Sequence, residues 1–368
     1  MHKLIRPSLL LDSIKCRENI SRAVDKARRE KVVLRPHFKT HQSAVIGRWF
    51  REAGVDRITV SSVSMATYFA ADGWKDITIA IPFNIHEAEE MNQLAGQLAL
   101  HLFVTDPEPI ALLGKMIRYP VGLFIEVDTG QHRSGVHPDD TERIEKILGQ
   151  IRAFPHLRFE GFATHAGHSY SLSGDRERIR QVHRESLAML DGLKTRYEAE
   201  YPGLLLSAGD TPTFSVAEGF APLDEVRPGN FVFYDLMQVR IGSCTPDRIA
   251  VALACPVISV NPERAEAVIH GGAVHLSKEH LLRADGSVIF GAVTRLHDRG
   301  WESPGEEMYV KALSQEHGII HLGNSREKLV PGDWVAVLPV HSCLAADLAG
   351  AYLSLEGDRI AAMRTAGV

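Results

Sequence analysis

Eight short apolar runs, each followed by a helical pattern or a turn, constrain the fold of this chain most strongly. They lie between about residues 30 and 235 and read KVVLRPHF, DRITVSS, DITIAIP, LALHLFVTD, VGLFIEVDTG, LRFEGFATHAG, LLLSAGD and EVRPGNFVFYD. β-Branched runs that alternate with amphipathic helical stretches indicate βαβ units and a parallel sheet. Eight such units in ~200–250 residues predict an α/β fold of the (β/α)8 TIM-barrel type. A doubly wound open sheet has the same periodicity and stays open as an alternative.

The sequence changes character after about Gly242. From there onward, apolar runs such as VALACPVISV, GSVIFGAVTRL and DWVAVLPV are short and are separated by residues typical of turns. Few segments in this part of the chain have a helical pattern. This pattern predicts a mostly antiparallel β domain. We therefore expect a barrel over residues 11–241 and a second domain over residues 242–368, with residues 1–10 pairing with the second domain. A chain of 368 residues is long enough for both domains.

The composition excludes several classes of function. The 41 basic and 46 acidic residues give a net charge of -5, so neither nucleic acid nor a membrane surface is expected as a partner. No stretch approaches the ~20 apolar residues that a membrane span requires. The four cysteines are scattered without CxxC spacing, which predicts free thiols in a reducing compartment. We therefore expect a cytoplasmic protein.

TIM-barrel active sites lie at the carboxyl ends of the strands. The residues that follow each predicted strand are therefore the candidate site residues. Lys39 follows the first apolar run, between two histidines. Barrels often bind phosphate with the loops after the last two strands, which here read SAGDTPT and RPGN. Gly209 and Gly229 would let backbone N–H groups approach an anion, while Thr211 and Asn230 would add side-chain donors.

A phosphate pocket that faces a lysine favours pyridoxal 5′-phosphate (PLP) as the cofactor. The aldehyde of PLP forms a Schiff base with a lysine, and its phosphate needs an anchor. Taken alone, a lysine at a strand end is usually a solvated side chain, and each glycine loop is a simple turn. The presence of both loops together with Lys39 favours a PLP site over a solvated lysine and two simple turns.

Seven motifs in order along the chain carry a resemblance to a known family. They read RPHFKTH, VDTGQHRSGV, HAGHSY, SAGDTPT, RPGNFVFYDLMQ, SQEHG and PVHSC. The chain resembles the fold-type III PLP enzymes, in the branch that holds eukaryotic-type D-serine dehydratase, D-threonine aldolase and D-threo-3-hydroxyaspartate dehydratase. The resemblance implies an alanine racemase-like barrel with a C-terminal β domain, a homodimer and an amino-acid substrate.

The resemblance also implies roles for individual residues of the site. Lys39 would form the Schiff base, and Arg133 would lie near an oxygen of the substrate or cofactor. The other implied residues contact the cofactor ring (Tyr170), hold its phosphate (Thr211, Gly229 and Asn230) or pack nearby (Tyr234).

A histidine and a cysteine, His341 and Cys343, end the apolar run DWVAVLPV. In an extended segment residues i and i+2 point to the same face, so the imidazole and the thiolate could meet at one ion. Zinc accepts such ligands, although a cysteine in this setting is more often a small buried apolar residue. The resemblance implies a metal here beside the cofactor, with manganese or magnesium as alternatives to zinc. His317, in SQEHG, is a further catalytic candidate or a structural histidine.

The chemistry of the implied site leaves more than one reaction open. A lyase that removes the α-proton and expels the β-hydroxyl is a dehydratase, and a bound metal would help the hydroxyl to leave. A base that takes the β-hydroxyl proton instead would give an aldolase. Cys343 favours dehydration. An amino-acid racemase and a non-enzymatic PLP carrier remain as further alternatives, although the second domain argues against a carrier.

Overall fold

The structure is a computed structural model that describes residues 4–305, 307–323 and 328–366. It divides into two compact units. The barrel unit comprises Arg22–Lys39 and Phe50–Gly229, and the antiparallel unit comprises Met1–Ser21, Thr40–Trp49 and Asn230–Val368. The predicted domain boundary at residue 242 stays a prediction.

Strands and helices are numbered along the chain. The strands are β1 (Ser8–Leu11), β2 (Val33–Leu34), β3 (Ile58–Val60), β4 (Asp76–Pro82), β5 (Ala99–Val104), β6 (Val121–Val127), β7 (Leu157–His165), β8 (Leu205–Gly209), β9 (Glu225–Val226), β10 (Val251–Asn261), β11 (Glu266–His270), β12 (Leu281–Leu282), β13 (Val288–Ile289), β14 (Gly291–His297), β15 (Gly300–Trp301), β16 (Tyr309–Leu313), β17 (His317–His321), β18 (Trp334–Pro339), β19 (Ala351–Ser354) and β20 (Arg359–Ala361). The α-helices are α1 (Ser13–Glu30), α2 (Ala44–Glu52), α3 (Val63–Ala71), α4 (Ala88–Ala95), α5 (Pro107–Met116), α6 (Thr141–Arg152), α7 (Arg176–Tyr197), α8 (Thr211–Val216), α9 (Leu236–Ile241), α10 (Ala273–Leu276) and α11 (Ser342–Ala349).

The barrel unit is built on an eight-stranded parallel sheet in the order β2-β9-β8-β7-β6-β5-β4-β3. A parallel bridge between His37 and Thr59 joins the two ends of this order and closes the sheet. Closure places the carboxyl ends of all eight strands around one rim of the barrel.

The apolar content of the barrel strands explains why they form a buried parallel sheet. All seven residues of β6 (VGLFIEV) are buried, as expected for a strand with helices on one face and the barrel interior on the other. Phe103, Phe124 and Ala163, from β5, β6 and β7, pack in one core cluster. The helices α3, α6, α7 and α8 begin with side-chain caps. Asp140 accepts a hydrogen bond from the N–H of Arg143 at the start of α6.

The antiparallel unit contains a second closed sheet. Its strands run in the order β11-β17-β16-β14-β18-β10, and β10 pairs again with β11. The strand β1 extends this sheet by pairing antiparallel with β10 and parallel with β19, which in turn pairs with β20. Buried residues of this unit include Ile249, Ala252, Ala336 and Leu338, which form one core cluster.

Together these observations confirm the predicted fold class, a (β/α)8 barrel with a mostly antiparallel β domain. They exclude the doubly wound alternative, because the eight parallel strands close on themselves. Among the described residues, no helix is both long enough and apolar enough to cross a membrane.

Candidate active site in the barrel and candidate metal ligands

One cavity of the barrel unit lies at the carboxyl ends of the strands. Each of the eight strands, or the segment that follows it, contributes to the lining. The lining residues are His37, Lys39, Ser61, Ala80, Ile81, Pro82, Phe103, Glu126, Arg133, Ser134, His165, Gly209 and Arg227. Three of the predicted site residues, Lys39, Arg133 and Gly209, are therefore brought together where TIM-barrel enzymes carry their chemistry.

Lys39 is exposed, and its charge acts on two histidines of this cavity, His37 and His165. Its backbone N–H donates to Nδ1 of His37 at 3.4 Å. Burial, followed by the charge of Lys39, holds the pKa of His37 well below its ordinary value. Burial and the charges of Lys39 and Arg133 lower the pKa of His165 to about 3. Both imidazoles are therefore neutral at pH 7 and carry one ring nitrogen that can accept a proton.

Arg227 forms the buried floor of the cavity. One guanidinium nitrogen, Nη2, donates to the carbonyl oxygen of Thr164 at 2.7 Å, and the other, Nη1, donates to the hydroxyl of Ser207. The guanidinium also lies 5.0 Å from the centroid of the Phe103 ring. Burial lowers the pKa of Arg227 to about 10, so the side chain stays charged at pH 7. A fixed positive charge beneath the cavity favours an anionic or electron-rich ligand.

Glu126 is a buried carboxyl group at the end of the apolar strand β6. Burial raises its pKa, and Arg133 lies 4.0 Å from it, measured from Nη2 to Oε1. Arg133 itself is half exposed, so its guanidinium can turn towards a carboxylate or phenolate ligand in the cavity.

The two glycine loops of the barrel contain the predicted phosphate ligands. The N–H of Thr211 donates to the hydroxyl of Tyr170 at 3.3 Å, and the N–H of Gly229 donates to Oγ1 of Thr211 at 3.4 Å. Asp210, between Gly209 and Thr211, caps α8 through the N–H of Thr213. Tyr170, Thr211 and Gly229 are therefore brought together, with long hydrogen bonds from the backbone N–H groups of Thr211 and Gly229.

His341 and Cys343 are in contact within the antiparallel unit. Burial acts to lower the pKa of His341, but its hydrogen bond to Cys343 and the negative charge of the Cys343 thiolate raise this pKa to about 9. Thr40 lies 3.3 Å from Cys343, measured from Oγ1 to Sγ. The prediction that His341 and Cys343 lie in one extended segment is wrong. The strand β18 ends at Pro339 and Cys343 lies in the first turn of α11, so the pair meets across a helix start rather than along an extended segment.

A buried carboxylate organises the loop around this pair. Oδ2 of Asp235 accepts hydrogen bonds from the backbone N–H of Ser342 at 2.9 Å and from Nδ2 of Asn230 at 2.7 Å. The same Nδ2 lies 3.5 Å from Sγ of Cys343. The side chain of Asn230 is thus engaged beside the cysteine, while its role towards a phosphate stays a prediction.

The remaining two predicted residues lie elsewhere in the antiparallel unit. Tyr234 has a left-handed backbone (φ 51°) and packs against the core cluster of this unit. His317 is an exposed residue of β17, where its backbone pairs with that of His270. Their predicted roles stay predictions.

Sequence reasoning missed Arg227 and Glu126 as lining residues. A signal for each was present. Glu126 is the acidic residue in the apolar run VGLFIEV, and Arg227 precedes the Pro-Gly turn of the last strand. Charged residues inside buried strands are rare unless they are paired or functional.

Comparison with known proteins agrees with the alanine racemase-like fold. Residues 11–236 match the family model described as alanine racemase, N-terminal domain, and residues 250–355 match a model named for a serine dehydratase domain. The chain belongs to the alanine racemase N-terminal domain family.

Two curated relatives are similar over almost the whole chain. D-threo-3-hydroxyaspartate dehydratase of Delftia sp. (strain HT23) is 29% identical, over 96% of this chain and 94% of that protein. D-serine dehydratase of Dictyostelium discoideum is 26% identical, over 95% of this chain and 93% of that protein. These matches confirm the predicted dehydratase–aldolase branch and the prediction of an enzyme.

A solved structure of the Delftia dehydratase is 27% identical and superposes with a TM-score of 0.89, covering 98% of both chains. A cysteine mutant of the same dehydratase, solved in the metal-free form, superposes with a TM-score of 0.90, at 27% identity over 98% of both chains.

Proposed function

We propose that the chain is a PLP-dependent, metal-assisted lyase that removes water and releases ammonia from a D-β-hydroxy amino acid. The substrate class is that of D-serine and D-threo-3-hydroxyaspartate. The observation that carries this proposal is the barrel cavity, which combines Lys39 with two neutral histidines and with Arg133 at the strand ends. The similarity to two dehydratases supports it.

The residues around the cavity fit PLP. Lys39 would hold the cofactor covalently, Tyr170 would contact its ring, and the loops that contain Gly209, Thr211 and Gly229 would bind its phosphate. The N–H groups of Thr211 and Gly229 support this assignment, because their present hydrogen bonds of 3.3 and 3.4 Å could be exchanged for stronger bonds to an anion. Asn230 and Tyr234 complete the proposed cofactor set. When bound, PLP supplies an electron sink for the substrate α-carbon.

The protein side chains would bind the substrate and move its protons. The guanidinium of Arg133 would pair with the carboxylate of the substrate or with an oxygen of the cofactor. The Nζ amine of Lys39 would remove the α-proton of the bound amino acid. His37 and His165, which burial and nearby cations keep neutral, would relay a proton between Lys39 and the departing hydroxyl of the substrate, which leaves as water.

His341 and Cys343 fit a divalent metal, for which zinc is the first choice and manganese or magnesium are alternatives. One imidazole and one thiol in contact are the donor types that zinc prefers, and two protein ligands would leave positions for water or substrate. The metal, when bound, would supply a Lewis acid for the departing hydroxyl. The metal-free form of the cysteine mutant of the Delftia dehydratase supports a metal in this branch. We assign His317 as a candidate catalytic residue on the resemblance alone.

Product analysis tests the proposed reaction. The purified chain, supplied with PLP and zinc, is incubated separately with D-serine, D-threo-3-hydroxyaspartate and D-threonine. We expect pyruvate or oxaloacetate, with one equivalent of ammonia for each substrate consumed. Glycine and an aldehyde would identify an aldolase instead, and formation of the L-enantiomer without ammonia would identify a racemase. Bound PLP without turnover of any of these substrates would leave a carrier as the better description.

The resemblance further supports a homodimer, and the four scattered cysteines support a cytoplasmic location. Light scattering of the purified chain tests the first proposal, with twice the chain mass of 40.7 kDa as the expected result. A particle of one chain mass at working concentration would contradict it.

A further inference from the structure

Two histidines and a glutamate form a cluster in the antiparallel unit that the proposed reaction does not use. His270 ends β11, His275 lies in α10, and Glu316 immediately precedes β17. One potential ligand atom from each residue lies within 4.8 Å of the other two. Nε2 of His270 is 3.6 Å from Oε2 of Glu316, and the centroids of the two imidazole rings are 5.6 Å apart. The three side chains therefore converge on one point.

The backbone holds the three ligand-bearing positions in a fixed relation. Three backbone hydrogen bonds join the two segments of the cluster: Gly271 N–H to Glu316 O at 2.9 Å, Ala273 N–H to Ser314 O at 2.9 Å and Val274 N–H to Gln315 O at 3.2 Å. The segments approach so closely that a Cβ at Gly272 would lie 2.3 Å from the carbonyl oxygen of Gln315. A glycine is required at this contact, and the close approach keeps His270 and His275 beside Glu316.

The donor set and its exposure suit a metal ion of the zinc class. Two imidazoles and one carboxylate are a recurring zinc ligand set that leaves a fourth position open. The side chains of His270 and Glu316 are 42% and 49% exposed, so an ion and its remaining water ligand can enter from solvent.

One hydrogen bond changes when such an ion binds. The N–H of Gly272 donates to Nδ1 of His275 at 3.2 Å. Coordination through Nε2 needs the tautomer with its proton on Nδ1, and that tautomer cannot accept the bond from Gly272. Metal binding therefore breaks the long hydrogen bond between Gly272 and His275, so we expect the ion to bind with moderate affinity.

We propose that His270, His275 and Glu316 form a second binding site for a zinc-class divalent cation, with no residue in common with the His341–Cys343 pair. The bound ion would fasten the β11–α10 segment to the turn before β17. Its presence is independent of the proposed activity.

Cobalt(II), a spectroscopic substitute for zinc, tests this site in the full chain. The Cys343→Ala variant, which lacks a thiol ligand at the other proposed site, is titrated with cobalt by calorimetry and by absorbance. We expect one equivalent of cobalt per chain with ligand-field bands but no thiolate charge-transfer band. His275→Ala and Glu316→Gln, each added to Cys343→Ala, should weaken this binding by at least ~10-fold.

His297→Ala in the same background is the matched control. His297 forms an exposed pair with Glu302, with 3.2 Å between Nε2 and Oε1, but the cluster of three ligands does not include it. Cobalt binding should be unchanged in this variant. In the otherwise unaltered chain, Glu316→Gln should reduce the total cobalt bound by one equivalent, which keeps the test valid if Cys343→Ala does not fold. The proposal is overturned if Cys343→Ala binds no cobalt, or if His275→Ala and Glu316→Gln bind it as tightly as their parent.

Discussion

The barrel cavity and the His341–Cys343 pair are assembled in opposite ways. The cavity collects side chains from segments spread between His37 and Arg227, and each is positioned by the end of a different parallel strand. The pair comes from residues two apart in sequence, at the start of a single short helix. The cavity is therefore a property of the whole barrel, whereas the pair depends on one local turn that Asp235 stabilises.

The two regions also differ in their chemistry. The cavity has cationic groups, Lys39, Arg133 and Arg227, with histidines that burial keeps neutral. The pair combines an imidazole with a soft sulfur ligand. Cations and backbone donors suit an anionic organic cofactor, while nitrogen and sulfur suit a metal ion. We therefore expect the cofactor and the metal to bind through different residues, so that either one can be removed from the protein without the other.

Replacement of Lys39 should have the largest effect. In Lys39→Ala the cofactor loses its covalent anchor and the substrate loses its base, so turnover should fall by at least ~10³-fold. Borohydride reduction followed by peptide mapping should label Lys39 in the unaltered chain. The exposed barrel lysine Lys75 provides the control, since Lys75→Ala should keep both label and turnover. A label on a lysine other than Lys39 would show that the covalent anchor has been misassigned.

Replacement of Cys343 should have a smaller effect that is confined to the metal. In Cys343→Ala the loss of one of two ligands should weaken metal affinity at the His341–Cys343 pair by ~100-fold or more, which lowers the metal bound by one equivalent, while bound PLP stays constant. In Cys343→Asp the new carboxylate should shift metal preference from zinc towards manganese or magnesium. Metal analysis after dialysis and cofactor absorbance provide the two readouts. Loss of PLP together with the metal in Cys343→Ala would contradict the separation of the two sites.

The neutral histidines of the cavity should make the barrel sensitive to acid. The unfolded chain protonates His165 near pH 6.5, whereas the folded chain does so only near pH 3, so the unfolded state binds more protons between these values. The contribution of His165 to the free energy of unfolding should be fully present above pH 6.5 and should decrease as the pH falls below 6.5. The decrease should be up to about 1.4 kcal/mol per pH unit.

His165→Gln tests this dependence. Urea unfolding of the cofactor-free chain at pH 7 and at pH 5 should show a smaller loss of unfolding free energy in His165→Gln than in the unaltered chain. The exposed His137 offers the matched control, because His137→Gln should keep the original slope. An unchanged slope in His165→Gln would mean that this imidazole is already protonated or is accessible in the folded chain.

The difference between the two regions also explains what could be predicted from the sequence. Eight alternating runs determine a closed parallel sheet, and a closed sheet fixes where Lys39, Arg133 and Gly209 must lie. The contact between His341 and Cys343 could be anticipated, but not its geometry, because the start of α11 depends on Asp235, 106 residues earlier than His341. Periodicity does not report such long-range hydrogen bonds.

The same limit applies to residues that sequence reasoning missed. Arg227 lies on the cavity floor because Ser207 and the carbonyl of Thr164 hold its guanidinium. The cluster of His270, His275 and Glu316 forms because β11 pairs with β17, and neither strand has a sequence feature that selects its partner. These features follow from tertiary packing rather than from local pattern.

Chelation tests most directly whether a metal, bound by residues other than those that hold the cofactor, assists dehydration. The PLP-loaded chain is dialysed against EDTA, assayed with D-serine and D-threo-3-hydroxyaspartate, and assayed again after zinc is restored. We predict that formation of pyruvate or oxaloacetate is lost with the metal and returns with zinc, while cofactor absorbance remains constant throughout. Undiminished turnover in a chain that metal analysis shows to contain no metal would contradict a role of the metal in dehydration.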